Sequence, residues 1–194
     1  VKPVFCAVRP PGHHATRDAA MGFCIFDNIA VAAAHALEAH GLERVAIVDF
    51  DVHHGNGTED IFRDDPRVLF CSSFQHPFYP FTGHEQTTTN LVASPLAATA
   101  TGVEFRQEVT EKWLPALDAF KPQFIFISAG FDAHVFDDMS DVQLTDDDYS
   151  WVTSEVVTVA KKHAEGRIVS SLEGGYEPEV LARSVSAHLK ALLD

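Results

Sequence analysis

Apolar runs of strand length recur along the chain, separated by longer stretches with helical spacing. Residues 4–8, 45–48, 68–71, 124–127 and 168–170 each read as a strand. They are nearly continuous apolar runs rather than alternating ones, as expected where a parallel sheet is covered on both faces. Residues 27–40, rich in Ala, and residues 103–120 read as helices. A third helix runs from Asp146 to about His163, with Thr145 as its cap and Tyr149, Val152, Val156 and Ala160 as one apolar stripe. Residues 178–193 form a closing helix with Val180, Leu181, Val185, Leu189 and Leu192 turned inward. Strands alternating with helices predict an α/β fold, a parallel central sheet flanked by helices on both faces. Residues 75–96 show little periodicity and several Pro, Gly and Thr, which predicts a long functional loop. With no repeat, low-complexity tract or linker, residues 1–194 read as one domain.

Composition narrows the classes. The chain has 194 residues, 46% of them hydrophobic and 22% charged, with a formal net charge of -14. That balance fits a folded soluble protein and argues against non-specific binding to nucleic acid or to an anionic membrane; it favours a cationic partner. No apolar run approaches the roughly 18 to 20 residues that span a bilayer. Three scattered cysteines (Cys6, Cys24, Cys71) make no disulfide framework, so a reducing, cytoplasmic setting is expected. The start, Val1-Lys2-Pro3-Val4-Phe5, lacks a Met and a signal peptide and reads as a chain cut from something longer.

In open α/β sheets ligands bind beyond the carboxyl ends of the strands, so the residues after each apolar run carry the chemistry. After residues 45–48 comes Asp49-Phe50-Asp51-Val52-His53-His54-Gly55-Asn56-Gly57. Asp49, Asp51 and His53 at i, i+2 and i+4 point the same way in an extended chain. Converging carboxylates and an imidazole are costly unless a positive charge lies between them, and a divalent metal supplies it. After residues 124–127 comes Ser128-Ala129-Gly130-Phe131-Asp132-Ala133-His134, where Asp132 offers a third ligand or, alternatively, a helix cap. Asp51, His53 and Asp132 together make a mixed nitrogen and oxygen set with an open position, as a catalytic zinc needs. After residues 4–8 comes Arg9-Pro10-Pro11-Gly12-His13-His14-Ala15, whose His pair beside a metal suggests a general base and an assisting imidazole. After residues 168–170 comes Leu172-Glu173-Gly174-Gly175-Tyr176, whose glycines project a phenol able to donate to a developing oxyanion. His35, His40, His163 and His188 lie in helical stretches and read as structural or surface. The acidic run Asp137-Asp138-Met139-Ser140-Asp141 lacks the Gly and closing Glu of a calcium loop. Asn56-Gly57 looks like a hairpin turn but leads into Thr58-Glu59-Asp60-Ile61, which starts like a capped helix.

Those strings, together with Gly22-Phe23-Cys24, resemble the zinc-dependent histone deacetylase family, and most closely its class II-like members, bacterial ones and acetylpolyamine amidohydrolases included. The resemblance covers nearly the whole chain. It implies the arginase-like α/β fold and hydrolysis of acetyl groups from acetyl-lysine peptides or acetylpolyamines. It further implies that Asp51, His53 and Asp132 hold zinc, and that His14 is the general base and later the general acid. His13 would be its electrostatic partner, with Asp49 orienting His13 and Asn56 orienting His14. Tyr176 would polarise the acetyl carbonyl, while Gly22 and Phe23 line a narrow acyl tunnel opposite Tyr79. A potassium ion is implied beside the zinc, at Asp49, Ser72 and Ser73. The family's domain begins about a hundred residues earlier, so the resemblance implies a missing N-terminal section, exposed apolar surface and self-association. Two rivals remain: a binuclear-manganese ureohydrolase, disfavoured because His54 stands where a further metal-binding Asp would be needed, and a catalytically silent binding module or inactive fragment of the same fold.

Overall fold

A computed structural model describes residues 2–84 and 88–194. Among them lie six strands, β1 (Val4–Cys6), β2 (Val45–Asp49), β3 (Val68–Gln75), β4 (Leu91–Leu96), β5 (Phe124–Ala129) and β6 (Ile168–Leu172), in one sheet of order β1-β6-β5-β2-β3-β4. Every pairing is parallel. Alternate residues of one strand serve two cores. Ala46 and Val48 of β2 join a cluster with Val152 and Val156, whereas Val45 and Ile47 pack with Ile29, Ala33 and Leu37. Helices therefore cover both faces, which is why the strands carry unbroken apolar runs.

The helices are α1 (Asn28–His40), α2 (Asn56–Phe62), α3 (Gly102–Glu108), α4 (Leu114–Phe120), α5 (Asp146–His163) and α6 (Pro178–Leu193). Asp27 caps α1 by accepting from the Ala30 amide at 2.8 Å, and Gly41 ends it in the left-handed region. Thr145 caps α5 in a reciprocal capping box with Asp148. The stripe of Tyr149, Val152, Val156 and Ala160 is buried as its spacing requires.

Four details differ from the sequence reading. Strand β1 stops at Cys6, two residues short of the predicted end. The helix predicted over 103–120 is broken by a π turn, Val109–Trp113, where Leu114 donates to the Val109 carbonyl. Pro115 accounts for it, having no N–H to give and a ring that crowds the carbonyl four residues back. Strand β4 lies inside the stretch read as a loop; residues 85–87 of that stretch fall outside the described residues. On α6, Leu189 is exposed, because the inward stripe is Val180, Ser184, His188, Ala191 and Leu192. His188 is tolerated inside because Thr153 Oγ1 and Ser170 Oγ meet its two ring nitrogens at 2.7 and 2.9 Å.

Strand order positions the site. From β2 the chain moves outward to β3 and β4, then returns to the other side of β2 to lay down β5 and β6. The carboxyl ends of β1, β6, β5 and β2 are therefore neighbours, next to the point where the order reverses.

Candidate metal centre

The segment after β2 folds back on its own carboxylates. Asp49 Oδ1 accepts the Asp51 amide at 3.1 Å, and Asp51 Oδ1 accepts the His53 amide at 2.9 Å. From the end of β5, Asp132 Oδ1 accepts the Val52 amide at 3.0 Å. From the end of β6, the Gly174 amide donates to Asp51 Oδ2 at 2.8 Å. Position 174 has to be glycine: an added Cβ would stand 2.1 Å from Asp132 Oδ2 and 2.6 Å from Asp51 Oδ2.

These ties converge Asp51, His53 and Asp132, all buried, with one donor atom of each within 4.8 Å of the others. His53 Nδ1 lies 2.9 Å from Asp51 Oδ1 and 3.2 Å from Asp132 Oδ2. Donors roughly 2.0–2.1 Å from a tetrahedral ion would sit about 3.3 Å apart, so the spacing suits a divalent metal. Asp132 Oδ2 is buried with no well-formed hydrogen bond and only the His53 ring, at 3.2 Å, beside it, which leaves it available to a metal ion. Electrostatics agree. Burial, reinforced by the charge of Asp51, raises Asp132 to about 6. Burial opposes charging His53, yet the neighbouring carboxylates of Asp132 and Asp51 outweigh it and raise it to about 10. Two carboxylates holding a cation between them is the pattern a metal would replace.

Beside these donors stand two histidines in unlike surroundings, their rings 4.1 Å apart. His13 Nδ1 meets Asp49 Oδ2 at 2.9 Å; burial works against its charge, but Asp49 and Asp51 prevail and hold it well above the usual histidine range. His14 Nδ1 meets Asn56 Oδ1 at 2.7 Å, and burial, with the charge on His13, lowers it to about 3. One imidazole is thus kept protonated and its neighbour neutral. With Asn56 Oδ1 accepting from Nδ1, the free lone pair of His14 is on Nε2.

A narrow cavity of about 40 Å³ opens above the donors, lined by His13, His14, Gly22, Phe23, His53, Tyr79 and Tyr176, with Pro11, Met139 and Gly174. Larger clefts of about 660 and 550 Å³ lie elsewhere, lined by Arg17, Arg63 and Arg67 and by Lys2, Lys161 and Leu193. Neither includes the converging donors, so the small cavity is the chemical one. Burial, then Asp51 and Asp132, push the Tyr176 phenol upward, leaving it a protonated donor. Ser72 and Ser73 do not line this cavity. Ser72 lies beside Asp49 across the β2–β3 pairing, its Oγ 3.1 Å from His54 Nδ1, and Ser73 is buried next to it.

Glu173 and Asp137 are buried acids for which the sequence predicts no role. Glu173 Oε2 accepts the Gly12 and His13 amides at 2.6 and 3.2 Å, and its Oε1 accepts Ser128 Oγ at 3.1 Å, so it anchors the His-pair loop to β6 and β5. Burial raises it to about 8 despite the opposing charge of His13. Its place directly after β6 was the available signal. Asp137 belongs to the acidic run that lacks the Gly and closing Glu of a calcium loop.

A parallel α/β sheet whose four adjacent strand ends bring three imidazoles and a phenol to one cavity, with two buried carboxylates grouped around one of those imidazoles, defines a protein with a hydrolase-like, metal-suited site. The histone deacetylase domain model matches residues 1–192, and the chain belongs to that family. It is 44% identical to histone deacetylase 14, chloroplastic, of Arabidopsis thaliana over 97% of this chain and 46% of that protein. It is 39% identical to polyamine deacetylase HDAC10 of Homo sapiens over 96% of this chain and 29% of that one. The crystal structure of the HDA15 HD domain superposes with a TM-score of 0.90 and 38% identity over 97% of this chain and 55% of that one. The chain thus spans about half or less of these relatives. No described helix is long and apolar enough to cross a membrane.

Proposed function

We propose that this chain carries the catalytic machinery of a zinc-dependent amidohydrolase that removes acetyl groups from acetylated amines, acetyl-lysine peptides or acetylpolyamines. The observation that carries the reading is the buried trio of Asp51, His53 and Asp132 beside one protonated and one neutral histidine. Family membership and relatives named deacetylases support it.

Zinc bound by Asp51, His53 and Asp132 would supply Lewis-acid charge against the amide carbonyl and an acidified water. His14 Nε2 takes the proton from the attacking water and delivers it to the leaving amine nitrogen. His13, held protonated by Asp49, keeps positive charge beside His14, and Asn56 fixes the tautomer that leaves Nε2 free. The Tyr176 hydroxyl donates to the carbonyl oxygen as negative charge develops there. Phe23 and Tyr79 wall the acyl group from water. Potassium at Asp49, Ser72 and Ser73 belongs to the same reading, resting on the family resemblance.

The test is hydrolysis of an acetyl-lysine peptide and of an N-acetylated polyamine by this chain, after dialysis against a chelator and after zinc is restored. Turnover that is lost and regained with zinc supports the proposal. Zinc binding without hydrolysis of either substrate favours the silent module, and chelator-insensitive turnover defeats the metal role.

A further inference from the structure

Asp137 is buried, 4% exposed, and its carboxylate makes three bonds to backbone amides. Oδ2 accepts from Tyr176 at 2.6 Å and from Glu177 at 3.1 Å, and Oδ1 accepts from Met139 at 3.0 Å. Its segment starts at the proposed ligand Asp132 and is tied back to it, since Ser140 Oγ donates to the Asp132 carbonyl at 3.1 Å and the Asp137 amide donates to the His134 carbonyl.

The loop that carries Tyr176 needs such a tie. Gly174 is pinned on both sides, its amide on Asp51 and its carbonyl accepting the Phe131 amide. Gly175 follows with φ +129, a conformation open only to glycine, and acts as the pivot between Gly174 and Tyr176. Tyr176 is 36% exposed; its ring centroid lies 6.2 Å from that of Phe23 and 5.9 Å from the Arg9 guanidinium, contacts at the side chain that leave its backbone to be held from elsewhere. The first firm anchor past the pivot is the Asp137 carboxylate on the Tyr176 amide. Beyond it, Glu177 opens α6.

We propose that Asp137 is a positioning residue for Tyr176: its carboxylate fixes the Tyr176 backbone beyond the glycine pivot and so sets the phenol over the cavity. Because the same carboxylate holds the Met139 amide, it sets two lining residues of the mouth together. The inference rests on the proposed function for the role of the phenol, though not for the tie itself. A charge-assisted bond to a backbone amide is the stronger kind, and misplacing a reacting group by about 1 Å costs about 100-fold in rate.

A helix-capping role alone would lower stability without acting through Tyr176, and the two are separated by a double-mutant cycle. The 194-residue chain is prepared as wild type, Asp137→Ala, Asp137→Asn, Tyr176→Phe and Asp137→Ala/Tyr176→Phe. For each, kcat and KM on an acetyl-lysine peptide, zinc content, and hydrogen exchange of residues 174–178 are measured. The expected result is a fall in kcat of about 100-fold for Asp137→Ala with KM and zinc content little changed. The double variant should match Tyr176→Phe within about threefold, because the tie has nothing left to position. Asp137→Asn, which keeps an acceptor oxygen, should recover most of the loss. Exchange at Tyr176 should rise at least about tenfold in Asp137→Ala and stay as in wild type in Tyr176→Phe. Multiplying losses in the double variant, or unchanged exchange at Tyr176, would overturn the proposal. If Asp137→Ala does not fold, Asp137→Ser, whose shorter side chain cannot span to the Tyr176 amide, and Asp137→Ser/Tyr176→Phe run the same cycle. A wild type that hydrolyses neither an acetyl-lysine peptide nor an acetylpolyamine refutes the proposed function instead, and the exchange measurement still decides whether Asp137 holds Tyr176.

Discussion

His14 Nδ1 donates to the side-chain oxygen of Asn56 across 2.7 Å, and that partner is an amide rather than a carboxylate. Its neighbour His13 has the carboxylate of Asp49 in the corresponding place. The two rings share one loop and both are buried: the carboxylates of Asp49 and Asp51 hold His13 as a cation, while burial and the charge of His13 keep His14, which has only an amide partner, neutral.

Exchanging that partner should move the base. Asn56→Asp places a negative charge against His14, which favours its protonated form and raises its pKa by about 1–3 units. Because the neutral form accepts the proton, the acid limb of the kcat/KM profile should move to higher pH by a similar amount. A limb that stays where wild type has it would mean that His14 is not the titrating base.

Much of this site was legible because its parts follow buried strands. β2 and β5 are covered on both faces, so each appears as an unbroken apolar run, and the polar residues directly after such a run must be at the sheet's carboxyl edge. β4 was not legible for the opposite reason. It is an edge strand with Val92 and Ala93 half-buried, and Pro95 is tolerated there because an edge position need not donate to a ladder. Leu189 misled because the inner stripe of α6 passes through Ser184 and His188, polar residues whose burial depends on distant partners, and on Thr153 and Ser170 in the case of His188. Asp137 was illegible since its partners, Tyr176 and Glu177, lie 39 and 40 residues along the chain and are contacted through their amides, which no residue type announces.

Asp27 gives a stability prediction with a definite sign. Burial raises it to about 6, against the lowering by the Ala30 amide and Thr58 hydroxyl it accepts. A raised folded pKa means stability present below the unfolded value of about 4 and lost as pH rises through 6. Asp27→Asn keeps the Ala30 cap through its oxygen, and its amide group can donate to Thr58. Wild type and variant should therefore have similar urea midpoints near pH 4. At pH 7 the variant should be the more stable by on the order of 2–3 kcal/mol, at about 1.4 kcal/mol per pKa unit. Equal midpoints at pH 7 would show that Asp27 ionises without cost.

Gly174→Ala should damage the metal donors more than the fold. The new Cβ would stand 2.1 Å from Asp132 Oδ2, and neither that carboxylate nor Asp51 can retreat while holding the Val52 and Gly174 amides. Zinc affinity, read by competition with a chromogenic chelator, should fall at least about tenfold. An undiminished affinity would argue that the donors sit farther from the glycine loop.

Asp132→Asn should reverse its effect on stability with zinc. Without metal, Asp132 and Asp51 are two buried carboxylates sharing one imidazole, and burial together with the Asp51 charge disfavours ionised Asp132. An asparagine there keeps the bond from the Val52 amide and removes one buried charge, so the chelated variant should melt above chelated wild type by a few degrees. Adding zinc should raise the wild-type melting temperature, since an ion that binds only the folded state stabilises it in proportion to the logarithm of its concentration over Kd. The variant has lost a charged ligand and should gain far less, so that wild type overtakes it. Curves that keep the same order with and without zinc would remove Asp132 from the metal site, and with it the reading of the orphaned oxygen as a ligand atom.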